Sequence, residues 1–131
     1  MPTSGNYLLD TNIVIALFAR ERKVLQKYRR ARAVFLSATV AGELFFGAFK
    51  SKDFQDNVRR IEEFAAASTV LSCDFVTARH YGQIKEKLRA KGRPIPDNDI
   101  WIAAAAFQYD LTVVSRDAHF GDIDDLSVTM W

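Results

Sequence analysis

The chain has 131 residues and a mass of 14.8 kDa, the length of one domain spanning 1–131. Hydrophobic residues make up 49% and charged residues 26%, which excludes a mainly disordered chain. A single cysteine, Cys73, excludes an internal disulfide and favours a reducing, cytoplasmic setting, and no apolar run approaches the ~20 residues that span a bilayer.

In chain order, residues 1–5 lack a charged leader region, so no signal peptide is expected. Tyr7-Leu8-Leu9 has the pattern of a buried strand ending at Asp10. Asp10 or Thr11 can cap a helix over 13–19. A charged helix over 21–32 carries Arg20, Arg22, Lys23, Lys27, Arg29, Arg30 and Arg32 in and beside it, against one acid, Glu21. That run is either a solvated face or a contact for a phosphate-rich partner. A strand over 33–37 follows, then a helix over 39–50 with Val40, Leu44 and Ala48 inward. A helix over 53–67 spaces Phe54, Val58, Ile61 and Phe64 on one face, before a strand over 69–72. The helix over 74–91 puts Val76, Tyr81, Ile84 and Leu88 on one face and stops at Gly92 and Pro94. An alanine-rich helix over 97–109 and strands over 111–115 and 127–130 complete the chain.

Short apolar strands separated by helices predict an α/β fold, a Rossmann-like parallel sheet of about five strands flanked by helices. Ligands bind beyond the carboxyl ends of such strands. Asp10 ends the first strand and Asp117 follows the fourth, so both belong to that rim. Asp99 opens the alanine-rich helix, where an acid is stabilised by the helix N-terminus in any case. Glu43 lies inside the helix over 39–50, where a Glu is usually solvated, and one place beyond the capping-box position if Thr39 is the cap. Each acid has a bland reading alone. Together, three carboxylates on one rim and a fourth from a neighbouring helix repel unless cations intervene. Oxygen donors without a His or Cys cluster select a hard cation, Mg²⁺ or Mn²⁺, and such a site suits phosphodiester hydrolysis.

The order Leu8-Leu9-Asp10-Thr11-Asn12, Glu43-Leu44-Phe45-Phe46-Gly47, Asp97-Asn98-Asp99-Ile100-Trp101-Ile102-Ala103-Ala104 and Val113-Val114-Ser115-Arg116-Asp117-Ala118-His119-Phe120 resembles the PIN-domain family. Length and spacing are closest to the VapC-type toxins of toxin–antitoxin pairs, and the resemblance runs from about residue 7 to residue 128. It implies a Rossmann-like sheet, a metal-dependent endoribonuclease and a cognate antitoxin. It places the acidic quartet on Asp10, Glu43, Asp99 and Asp117, and the supporting polar residues on Thr11, Asn12 and Ser115. Asp97 lies outside the pattern, as an extra ligand or a cap. Asp10, Asp99 and Asp117 would hold the cation, and Glu43 would complete a second position or orient the attacking water. Asn12 and Ser115 would fix carboxylate orientation, and the products would carry a 5′-phosphate and a 3′-hydroxyl.

Among the remaining candidates, His80 reads as a partly buried structural residue and Cys73 as a small hydrophobe at a strand end. His119 either has no role at the site or reaches the substrate or the surroundings of the metal. Trp101 is core packing or a base-stacking surface. The C-terminal Met130-Trp131 is expected to pack on the sheet edge. Phe45, Phe46 and Phe49 cannot all face inward, so a docking groove for the antitoxin is expected along them, beside Glu43 and against the helix from Asp53, with a homodimer contact as the other use of the surplus. An antitoxin Arg or Lys could then enter the carboxylates. The alternative class is a catalytically silent PIN-type module that only binds RNA or protein. A haloacid-dehalogenase reading needs an Asp where Asn12 stands, and a receiver domain needs an acidic pair and a late lysine that are not evident.

Overall fold

The structure, a computed structural model, describes residues 5–131. The expectation of no signal peptide rests mostly on residues 1–4 and lies outside the described residues. The elements are β1 (Asn6–Leu9), α1 (Thr11–Phe18), α2 (Arg22–Arg30), β2 (Ala33–Ser37), α3 (Ala38–Phe49), α4 (Phe54–Ala66), β3 (Thr69–Leu71), α5 (Phe75–Ala90), α6 (Asp97–Tyr109), β4 (Thr112–Val114) and β5 (Val128–Thr129). A 3₁₀ turn, Ala118–Asp122, follows β4.

The strands form one sheet in the order β3-β2-β1-β4-β5, and every pairing is parallel. This is the α/β sheet expected from the alternation of short apolar runs and helices. The chain winds from β1 outward through β2 to β3, then returns to the other side of β1 for β4. The strand order therefore reverses between β1 and β4, and a crevice forms there at the carboxyl ends. Leu8, Leu9, Val113 and Val114 are fully buried in these two central strands, as a sheet covered on both faces requires.

The helices show why each face was chosen. In α6, Ile100, Ile102 and Ala103 through Ala106 are all buried, because small side chains let the helix lie close between α5, α3 and β4. Gly92, at φ 67°, ends α5: its N–H donates to Arg89 O (3.1 Å) and that of Arg93 to Leu88 O (3.0 Å), a left-handed stop that suits glycine. Trp131 is buried with its ring edge-on to Tyr7 at 5.3 Å. Met130 points outward instead.

Four other local expectations are corrected. Ser37, not Thr39, caps α3, accepting from Val40 N at 3.1 Å, so Glu43 lies far from any capping-box role. On α5 the packed face is Thr77, Tyr81, Ile84 and Leu88, and Val76 is exposed. Thr77 goes inside because its hydroxyl is satisfied twice, accepting from Asp74 N and donating to Gln108 Oε1. Phe54 is exposed at the first turn of α4, before that helix meets the core. Cys73 is exposed rather than packed, because β3 stops at Leu71.

Candidate active site

Asp10 sits one residue past β1, and its N–H still pairs with Val114 O at 2.9 Å. That bond fixes it at the mouth of the β1–β4 crevice. Its two carboxylate oxygens do different work. Oδ1 caps α1 by accepting from Thr11 N at 2.8 Å. Oδ2 accepts from Ser115 Oγ at 2.6 Å and from Asn12 Nδ2 at 3.4 Å. Ser115 Oγ in turn accepts from Asp117 N at 2.9 Å, and Asn12 Oδ1 accepts from Arg116 N at 3.3 Å. Ser115 and Asn12 thus tie the end of β4 to the end of β1. The Arg116 guanidinium is directed away, onto Glu21 at 2.8 Å.

Asp99, in the first turn of α6, is buried, and Asp117 caps the 3₁₀ turn by accepting from His119 N at 2.9 Å. His119 Nδ1 stands 3.0 Å from both Asp99 Oδ2 and Asp117 Oδ1. Glu43 projects from the second turn of α3 toward Thr11, and neither Thr11 Oγ1 nor Glu43 Oε1 has a hydrogen-bond partner among the described residues. Burial pushes the Asp10 carboxyl above the usual range, against the pull of Ser115 and Thr11, and Asp117 adds to the rise. Glu43 is raised by burial first; the nearby Thr11 hydroxyl opposes this without reaching hydrogen-bond geometry, and Asp10 and Asp99 raise it further. Asp99 is raised by burial, opposed by His119, and raised again by Asp117 and Asp10. The four carboxylates are therefore close enough at the mouth of the β1–β4 crevice to act on one another's ionisation. His119 is held above its ordinary value, chiefly by Asp99.

The residues singled out from the sequence divide into those at this pocket and those elsewhere. Asp97 turns to α5, accepting from Tyr81 Oη at 2.9 Å and Lys85 Nζ at 3.1 Å. Trp101 stacks on Tyr81 at 4.0 Å in the α5–α6 interface, and His80 stacks on Phe107 at 6.4 Å. A groove does open beside Glu43, between α1, α3 and α4, but Ile15, Phe18, Leu44, Gly47, Ala48 and Ile61 line it. Phe45, Phe46 and Phe49 do not. At about 100° per residue, Glu43 and Gly47 share one side of α3 and the three phenylalanines lie on the other. Phe46 and Phe49 are exposed there, and Phe45 packs half-buried against Phe49. His119 is the residue that sequence reasoning undervalued; its place two after a strand-end Asp was the available clue.

A buried, unpartnered carboxylate oxygen and three raised carboxyls are costly unless a cation is bound. Asp99, Asp117 and His119 each offer a ligand atom, all within 4.8 Å of one another. The donor set fits a divalent metal.

These features define a parallel α/β protein with an acidic, metal-compatible site at its topological switch. A PIN-domain model matches residues 7–126, and the chain belongs to the PIN-domain family. It is 38% identical over 112 residues to Ribonuclease VapC2 of Haemophilus influenzae, covering 84% of this chain and 85% of that one. It is 30% identical over 128 residues to the tRNA(fMet)-specific endonuclease VapC of Shigella flexneri, covering 95% and 97%. The VapBC-1 structure from nontypeable Haemophilus influenzae superposes with a TM-score of 0.88 at 30% identity, over 96% of this chain and 98% of that one. VapBC2 from Rickettsia felis, bound to a DNA fragment from its promoter, superposes with a TM-score of 0.89 at 25% identity over the same shares. Among the described residues, no helix is long and apolar enough to cross a membrane.

Proposed function

We propose that this protein is the ribonuclease toxin of a toxin–antitoxin pair, hydrolysing RNA phosphodiester bonds with Mg²⁺, for which Mn²⁺ can substitute. The observation that carries the reading is the convergence of Asp10, Glu43, Asp99 and Asp117 on the β1–β4 crevice in a chain whose relatives are named ribonucleases. Asp10, Asp99 and Asp117 are the carboxylates assigned to the cation. When bound, that cation neutralises the cluster, activates water and stabilises the leaving oxygen. Ser115 and Asn12 hold Asp10 in one orientation, and Asp117 is held through its own N–H on Ser115. Thr11 donates its N–H to Asp10 and flanks Glu43. Glu43, raised by burial and with an oxygen free to accept, is suited to orient the attacking water and take its proton. The products are a 5′-phosphate and a 3′-hydroxyl.

The antitoxin is assigned to the α1–α3–α4 groove, whose apolar floor leads to Glu43. An apolar segment laid there could direct an Arg side chain into the carboxylates, in competition with the cation. Phe46 and Phe49 are assigned to a homodimer contact. The test is cleavage of RNA by purified protein with Mg²⁺, with Mn²⁺ and with excess EDTA. Cleavage that EDTA abolishes is expected. Undiminished cleavage in EDTA would sink the metal mechanism, and no cleavage with either cation would leave a binding module.

A further inference from the structure

We infer that His119 is a direct ligand of the bound divalent cation, through Nδ1, alongside Asp99 and Asp117. The inference rests on the metal reading above and adds a nitrogen donor to a site the sequence presents as all-oxygen.

Three observations carry it. First, Nδ1 is 3.0 Å from Asp99 Oδ2 and 3.0 Å from Asp117 Oδ1. In an octahedron with bonds of about 2.1 Å, adjacent donors are about 3.0 Å apart. The same spacing that allows a hydrogen bond thus allows both edges of a shared coordination sphere. Second, the backbone that carries the ring is held in place. His119 N is bonded to Asp117 Oδ1, and the next residue, Phe120, is fully buried, which pins the 3₁₀ turn. Third, the side chain is 46% exposed, so Nε2 can keep its hydrogen toward solvent while Nδ1 faces the carboxylates. Among the described residues, His119 is the only basic side chain ion-paired with Asp99 or Asp117. The Nε2–H tautomer aims an Nδ1 lone pair at two carboxylates, which is unfavourable until a cation lies between them. Where Nδ1 carries a hydrogen beforehand, that proton leaves to solvent as the metal–nitrogen bond forms. An imidazole donor favours first-row transition ions relative to Mg²⁺.

The experiment is pulsed electron paramagnetic resonance of the protein loaded with Mn²⁺. The chain has two histidines, His80 and His119, so the nitrogen can be assigned. Wild-type protein is expected to show a ¹⁴N coupling that becomes a ¹⁵N coupling when histidine is ¹⁵N-labelled. The coupling should persist in His80→Gln and vanish in His119→Gln. Mn²⁺ affinity should fall about tenfold or more in His119→Gln, with a smaller fall for Mg²⁺. Bound Mn²⁺ without a histidine coupling in the labelled wild type would overturn the inference and leave the metal reading intact, and that arm needs no variant to fold. A coupling that survives in His119→Gln also overturns it. A spectrum of free aqueous Mn²⁺ alone in the wild type would overturn both.

Discussion

One Asp10 oxygen caps a helix and the other is clamped by Ser115, so its structural and functional readings are compatible rather than rival. Ser115→Ala removes the shortest bond to Asp10 and the acceptor of Asp117 N together. Cleavage should fall by about 10–100-fold, the range typical of groups that orient metal ligands, while circular dichroism stays native. The two nearby acids of α6 make a sharper contrast. Asp99 faces the crevice, whereas Asp97 is exposed and occupied by Tyr81 and Lys85. Asp99→Asn should lower the cleavage rate by about 100-fold or more, since electrostatic support from a metal site is worth several kcal/mol. Asp97→Asn loses only a solvent-screened surface ion pair with Lys85 and should keep most activity. The reverse ranking in single-turnover assays would reassign the motif.

At the scale of elements, α3 presents two separate apolar surfaces, and composition could not tell them apart. The surplus of phenylalanines over 45–49 was visible in the sequence; their position opposite the groove was not, because it depends on where α1 and α4 pack. The groove itself is lined by Leu44, Gly47 and Ala48, ordinary core-like residues. Ile15→Asp, on the exposed rim contributed by α1, should weaken antitoxin capture at least tenfold in a pull-down titration and leave RNA cleavage within about twofold. Phe46→Ser should leave capture unchanged and shift the toxin toward monomer in light scattering. Loss of capture in Phe46→Ser with none in Ile15→Asp would move the antitoxin to the other side of α3.

For the whole molecule, sheet and acids were legible for one reason: short apolar runs alternating with helices dictate a parallel sheet, and such a sheet gathers strand-end residues on one rim. Asp10 and Asp117 followed from that rule. Asp99, at the start of a helix, was set on the rim with them, whereas Glu43 was only a fourth acid from a neighbouring helix until motif order tied it to the site. His119 could be weighed from the sequence but not placed, because a 3₁₀ turn after β4 has no periodic pattern. The gathered acids have a consequence for stability. Asp10, Glu43 and Asp99 have carboxyls raised above their ordinary values, each by burial first. A raised carboxyl binds its proton more tightly in the folded state, so its contribution is most favourable below the unfolded value, about 4. That contribution is lost as pH rises through the folded value. His119, also raised, adds stability below about 6.5 that is lost as pH climbs past its own folded value. Glu21, Asp74, Glu86 and Asp97 are lowered; their support is present above the unfolded carboxyl values and fades only in stronger acid. Cation-free protein should therefore be more stable near pH 5 than near pH 7.5. Divalent cation at about 100 times its Kd should add about 2.7 kcal/mol, roughly 10 °C in Tm for a chain of this length. The gain should be larger at pH 7.5, where the carboxylates are ionised and ready to bind. Asp99→Asn should flatten the pH slope and reduce the gain together. Scanning calorimetry at the two pH values, in EDTA and in Mg²⁺, measures all of these. A Tm in EDTA that rises from pH 5 to pH 7.5 would show that the carboxylates are not held as a strained, cation-requiring group.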